Sequence, residues 1–167
     1  KRGRRFTNEY PPYLHDLGHR AMEFYDSGAL DYPRIPATVI FDEDGRKLHP
    51  MAIPAFNDPD VFFEWSEDNL KEVELGILQR VNSLDELAAA LKLQPGELSE
   101  TIDRWNRDCD KGADTDFGRP PQSMRPIRKP PFYYGSVWPV VSNTQGGPVH
   151  DEHWRVLDAF GEPIHGL

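Results

Sequence analysis

Two consecutive helices between residues 83 and 111 are the strongest constraint on the fold of this chain. Ser83-Leu-Asp-Glu86 has the spacing of a capping box, in which the hydroxyl and the carboxylate accept hydrogen bonds from the first free amides of a helix. Pro95 predicts the start of the second helix, because proline is tolerated in a first helical turn. Apolar side chains recur at helical spacing along both segments: Leu84, Leu87, Ala88 and Leu91, then Leu98, Ile102, Trp105 and Cys109. Each helix is therefore expected to bury one face.

Strand signals are short and lie outside this helical pair. Ala37-Thr-Val-Ile-Phe41 is a β-branched, nearly continuous apolar run that predicts a buried strand, closed by a turn at residues 42–45. Residues 132–141 are aromatic and β-branched and predict another strand, and a turn at 158–161 predicts a C-terminal β-hairpin. Because helices and strands are segregated and do not alternate, the sequence predicts an α+β fold with short mixed or antiparallel strands.

The remaining segments give weaker signals. A helix is predicted near residues 12–27, where apolar residues share one helical face. Residues 1–9 are predicted to form a turn that leads into a short strand, and residues 68–76 a weak helix. Segments 48–64 and 112–131 are rich in proline and are expected to be irregular.

Size and charge bound the possible functions. A chain of 167 residues is about one domain, and 38% hydrophobic and 28% charged residues are globular values. A net charge of −9 argues against a nucleic-acid partner, which would need a basic face. No run approaches the roughly 18 apolar residues of a membrane span, so no membrane partner is expected. The single cysteine, Cys109, excludes an internal disulfide and fits a reducing compartment, so we expect a cytoplasmic location.

Two histidine pairs resemble metal ligands, but no metal site is predicted. His150-Asp-Glu-His153 lies in a strand-like context, which would direct its imidazoles to opposite faces. His15-Asp-Leu-Gly-His19 lacks the glutamate of a His-Glu-x-x-His zinc motif. A metal-dependent hydrolase using His150 and His153 is kept as a less favoured alternative.

Several separated segments share their composition and order with one family. They are Gly3-Arg-Arg-Phe-Thr-Asn-Glu9, residues 37–47, 85–88, 101–106 and 112–119, Phe132-Tyr-Tyr134, and Thr144-Gln-Gly-Gly-Pro-Val-His-Asp151. Taken together, they resemble FAD-dependent flavoproteins of the fumarate reductase/succinate dehydrogenase type, including ketosteroid dehydrogenase-like relatives. The similarity covers essentially the whole chain.

The resemblance implies a substrate-capping domain at residues 1–138, entered by a strand at 1–9, and a return segment at 139–167 whose hairpin belongs to the FAD-binding domain. It implies an oxidoreductase that transfers hydride between flavin and a C–C or C=C bond next to a carbonyl or carboxylate. FAD is the implied cofactor, and a small organic acid or a cyclic ketone is the implied substrate.

The sequence also suggests a piece of a larger enzyme. It begins with Lys1, ends abruptly at Leu167, and has no Gly-x-Gly-x-x-Gly loop to seat a dinucleotide. The isolated chain is expected to be inactive, to need the remainder of its own FAD-binding domain as a partner, and to form a homodimer if faces normally covered by that domain are exposed. The alternative is a self-standing, non-catalytic binding module that keeps the cap fold.

The family's proton-transfer residues map onto two positions. Arg46 matches a catalytic arginine that acts as an acid, and Glu9 matches the carboxylate that relays protons to it. A guanidinium group, with a pKa above about 12, needs such a relay to act as an acid. The family's next arginine is missing here, because Glu9 is followed by Tyr10-Pro-Pro-Tyr13.

The remaining implied site residues contact substrate and cofactor. Asn143, Thr144 and Tyr13 are implied to bind substrate, and Gly146 and Gly147 to line the flavin, where a Cβ would prevent close approach. Dicarboxylate-specific relatives have a histidine at the position of Asn143. Since asparagine carries no charge, the site is expected to suit a carbonyl or hydroxyl better than a carboxylate.

Overall fold

The centre of the molecule is a small antiparallel sheet. The computed structural model describes residues 3–10, 19–52, 64–139 and 146–167. Within them, strands β1 (Ala37–Phe41), β2 (Gln79–Val81) and β3 (Phe132–Val137) form one sheet in the order β1-β3-β2. The register pairs Phe41 with Tyr133 on one side of β3 and Val81 with Phe132 on the other. The predicted antiparallel α+β class is confirmed.

Helices cover both faces of this sheet. They are α1 (His19–Met22), α2 (Glu43–Arg46), α3 (Leu70–Glu74), α4 (Leu84–Ala90) and α5 (Glu97–Lys111), with a 3-10 turn at Pro121–Ser123. Adjacent residues of a strand face opposite sides of a sheet, and both sides of β3 are buried at its start. Phe132 packs with Leu87, Leu98 and Ile102 from the helical pair. Tyr133 packs on the other side, with Phe41 and Leu78.

The helical pair forms as predicted, except for one hydrogen-bond donor at the start of α4 and for the first residue of α5. The Ser83 hydroxyl accepts a hydrogen bond from the Glu86 amide at 3.1 Å, as the capping box predicts. The Glu86 carboxylate accepts the amide of Asn82 at 2.8 Å, one residue before the expected donor. Helix α5 begins at Glu97 and not at Pro95, because Gly96 takes the N-cap position with a left-handed φ of 88°.

Three predicted elements differ in extent from those observed. The described residues of segment 1–9 form bends and no strand. Helix α1 ends at Met22, well before residue 27, because Asp26 closes a turn by accepting the amides of Gly28 and Ala29. Strand β3 stops at Val137 within the predicted range 132–141.

Two short elements were wrongly predicted or missed. Residues 42–45 were predicted as a plain turn, but the chain forms helix α2, since Asp42 caps it by accepting the Gly45 amide at 2.9 Å. Strand β2 carries a single β-branched residue, Val81, and gave no periodic signal. This segment forms a strand because it pairs with β3, which is a tertiary contact.

The C-terminal segment is held by its own backbone. Isolated bridges pair His150 with Val156 and Leu157 with Pro163. The predicted turn at 158–161 is confirmed, because the Asp158 amide donates to the Glu162 carbonyl at 2.9 Å. Within the described ranges, no helix is long and apolar enough to cross a membrane.

Candidate active site

Asp42 fixes the position of helix α2, which carries Arg46. One carboxylate oxygen of Asp42 caps α2, and the other accepts the backbone amides of Arg128 and Lys129 at 2.9 and 3.0 Å. The end of β1 is therefore tied to the segment that enters β3. Helix α2, and with it Arg46, is therefore held next to strands β1 and β3.

Arg46 is buried and held by three hydrogen bonds. Its Nε and Nη2 donate to the two carboxylate oxygens of Glu43 at 2.9 and 2.7 Å, which is a bidentate ion pair. Its Nη1 donates to the Asp68 carbonyl at 2.7 Å. The Tyr133 hydroxyl donates to Glu43 Oε2 at 2.8 Å, and its ring centroid lies 6.0 Å from the guanidinium carbon. We call Arg46, Glu43 and Tyr133 the Arg46 cluster.

These contacts stabilise the charges of the Arg46 cluster. The hydrogen bond from Arg46 is the main cause that lowers the pKa of the Glu43 carboxyl far below its usual range. The hydrogen bond to Glu43 in turn raises the pKa of Arg46 above its already high value. Burial and the bond to Glu43 raise the pKa of the Tyr133 phenol. At neutral pH this is a guanidinium–carboxylate pair with a protonated phenol.

Asn69 holds the backbone that carries Arg46. It is fully buried, and its amide nitrogen donates to the carbonyls of Arg46 at 2.8 Å and His49 at 3.0 Å. Its amide oxygen accepts the Met51 backbone amide and the Trp65 indole at 2.8 and 2.7 Å. All hydrogen-bonding positions of this side chain are therefore used. The C-terminal end of α2 has little freedom to move.

A shallow groove of about 350 Å³ opens beside Arg46. It is lined by Glu43, Arg46, Leu70, Val73, Glu74, Arg80, Pro131 and Tyr133. The lining combines apolar side chains with two cations and two carboxylates. A small polar molecule in this groove can therefore contact both Arg46 and apolar side chains.

Glu9 belongs to a second cluster on the other side of the helical pair. Arg5 Nε and Nη2 donate to the two oxygens of Glu9 at 2.8 and 2.7 Å, and Arg119 Nη1 lies 3.4 Å from Glu9 Oε2. Arg5 also donates to both oxygens of Asp114 at 2.9 and 3.0 Å. The guanidinium carbon of Arg5 lies 4.4 Å from the ring centroid of Trp105, a cation–π contact. We call Glu9, Arg5, Asp114 and Arg119 the Glu9 cluster.

Asp114 is the buried anchor of the Glu9 cluster. Burial alone would raise its pKa, but hydrogen bonds from Arg5 and from the Arg119 amide lower the pKa to about 2. Glu9, in contrast, keeps 40% of its side chain exposed. The cluster therefore holds one carboxylate inside the protein and presents a second one to solvent.

Arg46 and Glu9, which the family resemblance joins in one relay, have separate partners. In the described part of the chain, no hydrogen bond or ion pair connects them. The carboxylate on Arg46 is Glu43, and the cations on Glu9 are Arg5 and Arg119. Although no arginine closely follows Glu9 in the sequence, Glu9 contacts Arg5 from its own segment and Arg119 from a distant one.

Gly146 and Gly147, which the resemblance implies to line the flavin, have backbone angles that favour glycine. Gly146 and Gly147 have φ of 136° and 157°, and a Cβ at either would meet nothing within 4 Å. They form a bare, open backbone that favours glycine. Asn143, Thr144 and Tyr13 lie outside the described residues.

The histidines of the alternative metal site are exposed. His150 stacks on Trp154 with ring centroids 4.8 Å apart, and His153 lies near Glu152 at 3.6 Å. Among the residues that the structure describes, no group of three or more His, Cys, Asp or Glu side chains is arranged to hold a metal ion.

The whole of this α+β chain is similar to known flavoproteins. The family model of the FAD binding domain matches residues 1–167. The NADH:acrylate oxidoreductase of Vibrio harveyi is 32% identical over 170 residues, which cover 100% of this chain and 14% of that protein.

Two solved structures share the fold. The 3-ketosteroid delta1-dehydrogenase of Sterolibacterium denitrificans, solved with 1,4-androstadiene-3,17-dione, aligns with a TM-score of 0.68 at 29% identity, over 99% of this chain and 30% of that chain. The open conformation of a flavocytochrome c3 fumarate reductase aligns with a TM-score of 0.61 at 25% identity, over 98% of this chain and 24% of that chain.

The fold and the matches define an FAD-dependent class of dehydrogenases and reductases. The chain belongs to the FAD binding domain family, and the resemblance to fumarate reductase-like and ketosteroid dehydrogenase-like flavoproteins is confirmed. It spans less than a third of the length of each of these three relatives.

Sequence inspection missed the residues that hold the two clusters. Glu43 lay in the predicted turn at 42–45, and Asp114 in the proline-rich segment 112–131. Tyr133 lay inside a recognised motif, Phe132-Tyr-Tyr134, without a distinct role. The buried polar Asn69 gave no signal at all, since three of its four partners are 18 to 23 positions away.

Proposed function

We propose that this chain is the substrate-capping part of a larger FAD-dependent oxidoreductase, with the cap at residues 1–138 and a return into the FAD-binding domain at 139–167. Support comes from the length comparison, since the chain aligns over its whole length with 14% to 30% of its relatives. The proposed reaction moves hydride between flavin and a C–C or C=C bond next to a carbonyl or carboxylate. Acrylate, fumarate and 3-ketosteroids, which the relatives' names mention, share that feature.

The residues present fit a supporting role toward FAD. Gly146 and Gly147 offer an open backbone without side chains, against which a flat ring can lie. The sequence has no Gly-x-Gly-x-x-Gly loop, so the pyrophosphate would be held by the rest of the proposed enzyme. When bound, FAD supplies the hydride acceptor or donor.

The observation that carries the proposal is the fixed guanidinium of Arg46 beside a groove. A cation in this position can donate hydrogen bonds to a substrate carbonyl or carboxylate oxygen and stabilise negative charge that develops there. The apolar side chains Leu70 and Val73 of the same groove would exclude water from the substrate.

Glu9 is proposed to handle proton traffic. Its carboxylate is 40% exposed and can exchange a proton with solvent, and Arg5 and Arg119 hold it in one orientation. Asn143, Thr144 and Tyr13 are proposed to contact substrate, and the neutral amide of Asn143 favours a ketone or hydroxyl over a dicarboxylate.

The test is to purify the complete protein that contains this chain, record its flavin absorbance before and after reduction, and assay acrylate, fumarate and a cyclic ketone. We expect flavin bands that bleach on reduction and turnover of at least one of these substrates. Arg46→Ala should then lower kcat/KM by about 10²-fold or more, because a fixed donor to the developing charge is lost. Arg104→Ala, which removes an exposed arginine paired with Asp116, is the matched control and should leave kcat/KM within about twofold.

A complete protein without flavin would overturn the proposal and favour the non-catalytic binding module. A flavoprotein whose kcat/KM is insensitive to Arg46→Ala would keep the oxidoreductase class and remove Arg46 from the active site.

A further inference from the structure

We infer that Glu43 and Tyr133 are positioning residues that fix Arg46 as a permanent cation at the groove, so that Arg46 orients substrate charge and does not act as the proton donor. This inference rests on the proposed function, because it assigns a role to the side chains that surround its central residue. The geometry of the Arg46 cluster carries it.

The hydrogen bonds of Arg46 leave a defined part of the guanidinium for a ligand. A guanidinium has five N–H groups. Glu43 takes one from Nε and one from Nη2, and the Asp68 carbonyl takes one from Nη1. One N–H on each terminal nitrogen is left by these contacts. Each of these two N–H groups can donate to an oxygen of a substrate carboxylate or carbonyl.

Glu43 determines this geometry, because a bidentate pair permits one orientation of the planar guanidinium. It binds Arg46 from one turn earlier on the same short helix, and it also accepts the Tyr133 hydroxyl. Tyr133 lies on the central strand of the sheet and is 2% exposed, so it ties the pair to the core of the fold. Lys47 also reaches Glu43, at 2.9 Å, but its side chain is 57% exposed and holds the carboxylate weakly.

The same contacts make Arg46 a poor acid. Proton loss from Arg46 would leave the partly buried Glu43 carboxylate without its main cation, and Glu9, the expected proton relay, is held by Arg5 and Arg119. The low pKa of Glu43 and the raised pKa of Arg46 agree with this distribution of charge. A proton that the reaction requires must therefore come from a group other than Arg46.

The experiment is chemical rescue in the complete protein. Arg46→Ala removes the guanidinium, and added methylguanidinium can refill the space only if Glu43 still binds it. We expect methylguanidinium to raise the Tm of Arg46→Ala and to restore at least a tenth of the lost kcat, with neither effect in Arg46→Ala/Glu43→Gln. Arg104→Ala, whose arginine is exposed, serves as the control and should show no Tm increase with methylguanidinium.

Two further measurements separate positioning from a structural role. In Arg46→Ala/Tyr133→Phe the methylguanidinium concentration for half-maximal rescue should rise several-fold, whereas Tyr134→Phe in place of Tyr133→Phe should leave it unchanged. Rescued Arg46→Ala should also show the same kcat–pH profile as the unmodified protein, because a bound cation, and not a titrating arginine, is what is restored.

The outcomes are distinct. Equal rescue of Arg46→Ala and Arg46→Ala/Glu43→Gln would overturn the role of Glu43, and if the Gln variant does not fold, the Tyr133→Phe series decides in its place. A kcat–pH profile that follows the pKa of the added guanidine would restore Arg46 as the acid. A Tm increase that depends on Glu43 in a protein without oxidoreductase activity would leave the positioning intact and refute only the proposed function.

Discussion

The Arg46 cluster and the Glu9 cluster contain the same kinds of side chains and differ in how far their carboxylates are exposed to solvent. Each contains a bidentate arginine–carboxylate pair and an aromatic ring close to the guanidinium. In the Arg46 cluster the arginine side chain is 8% exposed and its carboxylate 16%. In the Glu9 cluster the arginine is 14% exposed, but Glu9 is 40% exposed, and the buried carboxylate is Asp114.

This difference shows how the fold assigns two roles to similar groups. A buried pair resists loss or gain of a proton, because either change leaves an uncompensated charge away from water. A carboxylate at the surface exchanges protons readily and contributes little to stability. The Arg46 cluster is therefore shielded from water, whereas Glu9 keeps 40% of its side chain in contact with solvent.

The largest expected effect is on stability when the partly buried Glu43 carboxylate is removed. Glu43→Ala should destabilise the chain by about 3 kcal/mol, because Arg46 stays behind without its partner. Glu9→Ala should cost less than about 1 kcal/mol, since Arg5 keeps Asp114 and Glu9 is largely solvated. Urea denaturation followed by tryptophan fluorescence measures both. Asp44→Ala, the exposed carboxylate next to Glu43, is the control, and equal costs at positions 9 and 43 would abolish the contrast between the clusters.

A smaller and pH-dependent effect is expected at Asp114. Its folded pKa of about 2 lies below its ordinary value of 3.8, so the charged form stabilises the fold above pH 3.8, and this contribution is lost as the pH falls toward 2. Asp114→Asn should therefore cost roughly 2 kcal/mol near neutral pH, and the gap to the unmodified chain should close in acid.

The same denaturation series, repeated from neutral to acidic pH, tests this prediction. Asp116→Asn, which affects only the exposed pair with Arg104, should show no comparable convergence. A gap for Asp114→Asn that stays constant with pH would mean that the carboxyl contributes by shape and not by charge.

The smallest effect compares two neighbouring tyrosines of β3. Tyr133→Phe should lower stability by about 1 kcal/mol, because it removes one hydrogen bond to the buried pair. Tyr134→Phe should change stability by less than about 0.5 kcal/mol. Thermal unfolding by circular dichroism measures both variants. A Tyr133→Phe variant as stable as the unmodified chain would show that the phenol of Tyr133 does not stabilise the pair.

Local sequence signals were sufficient where structure depends on near neighbours. We predicted the capping box of α4, the apolar strand β1 and the apolar face of α5, because each depends on residues that are close together in the sequence. The α+β class and the flavoprotein family were also predicted, and both are confirmed. The capping role and the site residues stay proposals.

Signals were insufficient where an element depends on distant partners. Strand β2 exists because β3 lies beside it, and helix α2 replaces a turn because Asp42 caps it while holding the amides of Arg128 and Lys129. In both cases a contact with a distant segment outweighed a weak local propensity. Segment 23–27 differs, because the turn that replaces its predicted helix is local: Asp26 accepts the amides of Gly28 and Ala29.

The sequence by itself determined the helical pair, the apolar strand and the family of this protein, because periodicity and motif order are properties of the linear chain. Only the tertiary structure decided that Arg46 pairs with Glu43 and Tyr133, and that Glu9 pairs with Arg5 and Arg119. Side chains up to 110 positions apart meet there. Their charges are stabilised by burial and by partners that come together only when the sheet and the helices pack.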